Sequence, residues 1–82
     1  MKSTRYFVDR DATGKIDLLA RVRYDEAGMT GEYFEDGRWI EHAPITDFLI
    51  DPSYGEEISE GEAQKFGYQW GWNIFTGQKY VT

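Results

Sequence analysis

Apolar and polar residues alternate from Lys15 to Tyr24. Ile16, Leu18, Ala20, Val22 and Tyr24 occupy the even positions. Lys15, Asp17, Arg21 and Arg23 occupy odd ones, and Leu19 is the one apolar residue among them. A period of two is the repeat of a half-buried strand, so this stretch predicts a strand with its even positions inward and Leu19 outward. Arg5-Tyr6-Phe7-Val8-Asp9-Arg10 predicts the strand before it. Residues 30–35 and 38–41 flank Asp36-Gly37, a dipeptide suited to a hairpin turn whose two central residues both need φ > 0. Trp39 is expected to pack across from Tyr33 or Phe34. Asp11-Ala12-Thr13-Gly14 and Asp25-Glu26-Ala27-Gly28 share one turn chemistry, an Asp to start the turn and a Gly to end it. Residues 1–41 therefore predict an antiparallel meander of about four strands.

Beyond His42 the period changes. Pro44 suits the first turn of a helix, where its missing N–H costs nothing, and Ile45, Phe48 and Leu49 then share one face. Asp51-Pro52 and Gly55 break this helix, predicted over 44–51. Ser59-Glu60-Gly61-Glu62 has the form of a capping box that opens a second helix over 59–70. Ala63, Phe66 and Trp70 line one side of it, and Gly71 is placed to end it. Gly67 inside this helix weakens it by about 1 kcal/mol relative to Ala. The expectation is a single α+β domain over 1–82, with both short helices packed on one face of the meander and an aromatic tail over 72–82. Its core should hold Tyr6 or Phe7, Val8, Ile16, Leu18, Ala20, Val22 and Tyr24, with Trp39, Phe48, Leu49, Phe66 and Trp70.

Composition sharpens this picture. A chain of 82 residues builds a modest core, and three Trp, six Tyr and five Phe supply large side chains to fill it. The absence of cysteine excludes disulfides, thiolate zinc sites and thiol nucleophiles, and it fits a reducing cytoplasm. No run is long and apolar enough to span a bilayer, and Met1 to Arg5 followed by Tyr6-Phe7-Val8 does not have the form of a secretion signal. The net charge is -6. From Trp39 to Gln64 there is no Lys or Arg, while Glu41, Asp47, Asp51, Glu56, Glu57, Glu60 and Glu62 fall there. Such a block reads either as a solvated face or as a surface aimed at a basic partner.

Candidate chemistry is sparse. Asp9-x-Asp11-x-Thr13-Gly14-x-Ile16-Asp17 matches the early ligand positions of an EF-hand calcium loop, but Ala20 stands where a bidentate Glu is needed. A turn whose Asp and Thr bond the local backbone explains the same residues, so no metal and no cofactor is expected. His42 is the single histidine, at a strand-to-helix corner, with no sequence neighbour to position it as a base. With no Ser/His/Asp pattern and no phosphate loop, the reading is not an enzyme.

An aromatic first strand followed by Asp36-Gly37-Arg38-Trp39, Pro44-x-x-Asp47-Phe48-Leu49 and Glu57-Ile58-Ser59-Glu60-Gly61-Glu62-Ala63 resembles a group of short uncharacterised proteins from actinobacteria and their phages. The resemblance spans residues 5–66 and implies a bacterial or phage accessory protein of the cytosol. It carries over no functional residues. Arg23-Tyr24-Asp25-x-x-Gly28 is similar to the unit of YD-repeat shells, but one copy signals only a hairpin.

The leading expectation is a non-catalytic interaction module that binds a protein partner, of basic character, through Glu56, Glu57 and Glu60 with Trp70, Trp72, Phe75 and Tyr80. Exposed Trp and Tyr dominate protein interfaces. Two readings of the tail stay open: it completes the domain's own core, or it docks on a partner, including a second copy in a homodimer. The alternative function is a nucleic-acid or nucleotide binder using Arg5, Arg21 and Arg23 on a shared sheet face. The acidic net charge weighs against it.

Overall fold

The computed structural model of the chain describes residues 3–49, 51 and 55–80. Its centre is a five-stranded antiparallel sheet: β1 (Ser3–Arg10), β2 (Ile16–Asp25), β3 (Gly28–Glu35), β4 (Arg38–Glu41) and β5 (Glu56–Ile58). The strand order is β4-β3-β2-β1-β5. The first four strands are the predicted meander, and β5 adds an edge beside β1 through Tyr6 opposite Ile58. Residues 43–49 (Ala43–Leu49) form a 3-10 helix, and α1 covers Glu60–Gln69. The domain is thus α+β. Ile50 and Pro52, where the first helix was expected to end, lie outside the described residues, as do Val81, Thr82 and the side chain of Leu49.

Local signals act as their chemistry dictates. Asp36 and Gly37 have φ of 48° and 86°, the paired positive values of a type I′ hairpin. Ser59 Oγ accepts from the Glu62 N–H at 3.1 Å, and the Glu62 carboxylate accepts from the Ser59 N–H at 3.2 Å. That reciprocal box opens α1, and Gly71 at φ 86° follows its end.

The two helices lie on opposite faces of the sheet, which corrects the expectation of one shared face. Tyr6, Val8, Leu19, Phe34 and Ile58 join Ala63 of α1 and Ile74 of the tail in one buried cluster. Phe7, Ala20 and Val22 point the other way and meet Ile45 of the 3-10 helix. The cross-strand pairs Phe7–Ala20 and Val8–Leu19 fix these two sets on opposite sides. Leu19 is therefore not an outward residue: it is 0% exposed at the centre of the larger cluster. Three consecutive buried residues, Tyr6, Phe7 and Val8, carry the same message, because an unbroken apolar run marks a strand covered on both sides.

The tail closes the larger face. Ile74 is 1% exposed, and the indole N–H of Trp39 donates to its carbonyl at 2.8 Å. Gly67 makes room for it: a β-carbon there would stand 2.4 Å from Ile74 Cγ2 and 3.1 Å from the Trp72 carbonyl oxygen. The helix glycine that lowers helical propensity is the seat of the tail. Elsewhere in an exposed helix Gly→Ala stabilises by about 1 kcal/mol. Gly67→Ala should instead destabilise by about 1–3 kcal/mol through overpacking, read from the midpoint of urea unfolding.

Candidate functional site

Two sets of charged residues stand out. Arg5 binds Glu57 through two hydrogen bonds, and Arg10 reaches Glu56 at 3.4 Å. Arg21 and Arg23 both bind the carboxylate of Glu32, at 2.8 and 2.7 Å. Pairing places Arg21 beside Tyr6, and Arg5 beside Val22. Arg21 and Arg23 thus project on the face of the larger core, and Arg5 on the other. The three arginines do not share a face, and each is bonded to a glutamate. The expected basic sheet patch is not assembled.

Glu32 is 7% exposed and anchors its arginine pair beside Trp39, where the Arg21 guanidinium lies 4.1 Å from the indole ring centre. Burial pushes the Glu32 carboxyl upward. The hydrogen bonds from Arg23 and Arg21 outweigh it and hold the group below its ordinary value.

The second set is unpaired, and it borders a groove at the end of the sheet where the hairpin turns lie. Two cavities of about 550 and 470 Å³ adjoin there and share Leu18 and Tyr33 as lining. The first runs under the 3-10 helix, floored by Ile45, Pro44 and Phe48, with Asp9, Asp47 and His42 at its walls. His42 meets Tyr33 edge to face at 5.8 Å. The second lies between the hairpin turn and the end of α1, lined by Phe34, Trp70 and Trp72 and by Asp17, Glu35 and Asp36. Among the described residues, no Lys or Arg lines either cavity. Among the described residues, the carboxylates of Asp17, Glu35, Asp36 and Asp47 have no hydrogen-bond or ion-pair partner. That of Asp9 accepts only from the neighbouring Arg10 N–H.

Local folding brings these groups together. Cross-strand pairing sets Asp9 opposite Leu18, and the type I′ turn presents Asp36. Trp70 caps α1, its N–H bonding the Phe66 and Gly67 carbonyls. The positive φ of Gly71 then turns the chain so that Trp72 reaches the hairpin, where a β-carbon on Gly37 would stand 2.6 Å from its ring. The result is a trough of π faces and carboxylates, acceptors without a cationic donor, and such a surface suits a cation.

The residues singled out from sequence divide accordingly. Trp70 and Trp72 line the groove and are half-buried against the core. Phe75 is 49% exposed in the tail turn. Tyr80 stacks on Tyr68 at 4.6 Å and accepts from Asn73 at 3.0 Å. Glu56 and Glu57 are engaged by arginines on the β5 edge, and Glu60 is exposed in the first turn of α1. In the calcium-like loop the Asp11 carboxylate accepts from the N–H groups of Thr13 and Lys15 and from the Thr13 hydroxyl, so it organises the turn. Asp17, Glu35, Asp36, Leu18 and Tyr33 were not anticipated as a site. From the sequence Asp36 reads only as a turn residue, and Asp17 as a strand position and the last matched position of the calcium-like loop. No helix among the described residues is long and apolar enough to cross a membrane.

Compared with family models, curated proteins and solved structures, the chain matches none.

Removing the Glu32 charge strands two guanidinium groups. Glu32→Gln should cost about 2–3 kcal/mol, less than a fully buried pair because Arg23 is partly solvated. A carboxyl whose folded value is lowered contributes stability above its unfolded value and loses it on acidification. The gap between native protein and variant should therefore persist from neutral pH to near 4.5, the ordinary glutamate value, and close below it. Urea titrations across that range measure it.

Proposed function

We propose that this protein is a non-catalytic interaction module whose groove takes a basic segment of a partner protein. One observation carries the reading: two adjoining cavities with aromatic lining are bordered by five carboxylates, Asp9, Asp17, Glu35, Asp36 and Asp47, with no Lys or Arg among the described residues that line them. Elsewhere Glu32, Glu56 and Glu57 are matched by arginines of the same chain. Five carboxylates to which no arginine side chain among the described residues is bonded thus stand where shape and aromatic surface are also available. Convergent carboxylates accelerate encounter with a basic partner, and half-buried indoles supply contact area at low entropic cost.

This reading moves the acidic part of the binding surface away from Glu56 and Glu57, and keeps Trp70 and Trp72 in it. The nucleic-acid reading loses its support, because Arg5, Arg21 and Arg23 are split between faces and engaged by glutamates. A phage or bacterial regulator acting on a host protein in the cytoplasm fits both the module and the resemblance carried by residues 5–66.

The test pairs the tagged native protein with a variant carrying Asp17→Asn, Glu35→Gln, Asp36→Asn and Asp47→Asn, each used for capture from bacterial lysate. A basic protein retained by the native chain and lost by the variant is the expected result. Association should be about tenfold slower for the variant at low salt, with that difference shrinking as salt is raised. A partner held equally by both chains would refute the groove. Recovery that depends on nucleic acid would refute the protein partner.

A further inference from the structure

We infer that the cavity between Trp70, Trp72 and the Asp36-Gly37 turn is an arginine subsite, which docks the guanidinium of one arginine side chain from the partner. The inference rests on the groove reading above and names the group recognised at one end of it.

The argument begins with how this chain holds its own arginines. Arg21 lies over the Trp39 ring at 4.1 Å while its Nε donates to Glu32 at 2.8 Å. Arg5 lies 5.8 Å from the Phe7 ring centre while it forks onto Glu57. In both cases the planar guanidinium takes a π face on one side and a carboxylate at its edge. That combination suits arginine, whose cation is weakly hydrated, flat and rich in fixed donors, better than lysine with its compact, strongly hydrated ammonium.

The cavity beside Trp70 and Trp72 repeats those components. Two indoles and Phe34 line it together with Asp17, Glu35 and Asp36, around about 470 Å³. Here no Lys or Arg among the described residues lines the space. Lys79 lies 5.6 Å from the Trp72 ring centre, but it does not line the cavity. Arg38, the cross-strand partner of Glu35, does not line it either. The size admits a long side chain and its solvent. The aromatic wall sets a preference that charge alone does not, since a carboxylate cluster in open solvent draws lysine and arginine alike.

The three tryptophans make the test direct, because Trp39 is an internal reference whose indole N–H is bonded to Ile74. The full chain, labelled with nitrogen-15, is titrated with a hexa-arginine peptide and separately with hexa-lysine. The expected result is binding about tenfold tighter for hexa-arginine. The indole signals of Trp70 and Trp72 and the amides of Asp17, Glu35 and Asp36 should move, while the Trp39 indole stays in place. Trp70→Leu should erase the preference for arginine yet keep the unshifted Trp39 signal, which reports an intact fold. Equal affinity for the two peptides, with the same groove amides moving, overturns the arginine subsite and leaves the basic-segment groove standing. Shifts confined to residues 56–62, or no shift with either peptide, overturn both.

Discussion

Ile74 is the residue on which the arrangement of the larger face depends. Its side chain fills the notch left by Gly67, and its carbonyl takes the indole N–H of Trp39. One residue of irregular backbone thereby ties helix, tail and β4 together. Its carbonyl would be a costly group to bury without a donor, and Trp39 carries a donor that also needs a partner. With that link in place, Trp72 lies against the hairpin glycine and Trp70 remains at the helix end. The wall of the groove is a by-product of how the core is closed.

The same economy governs charge. A small acidic domain with a sheet covered on both sides has few places to leave a carboxylate. Those inside the sheet must be matched, and Glu32 is, by two arginines from the neighbouring strand. Those on the β5 edge meet arginines of β1. Of the groove carboxylates, Asp36 stands in a turn, where Asp is favoured because it tolerates φ > 0, and Asp9, Asp17 and Glu35 stand at the strand ends beside the turns.

Much of the fold was legible in the sequence because its determinants are local. Asp36-Gly37 demands its turn, and Ser59 with Glu62 demands its cap, whatever lies around them. The meander followed from alternation and matched turns. The errors share a cause. Leu19 was assigned outward because alternation was taken to mean one buried face, and that same assumption put both helices on one side. Tyr6-Phe7-Val8 held the contrary signal. Ile74 was not placed in the core, because a short irregular tail has no period to read. The groove was least accessible of all: Asp9, Asp17, Asp36, Asp47 and Trp70 come from separate segments that only the folded register brings together. Arg5 was grouped with Arg21 and Arg23 for want of that register.

The position of Ile74 along the chain also bears on synthesis. A polypeptide emerges from the ribosome N-terminal end first, so β1 to β4 are made well before the residue that seals their larger face. Until then Val8, Leu19 and Phe34 have no lid, and the nascent meander carries an open apolar surface of the kind that invites aggregation. Short sequence separations let the strands pair early, but the face itself is finished only when α1 and the tail arrive together. The larger face is thus complete only once the chain has been made as far as Ile74.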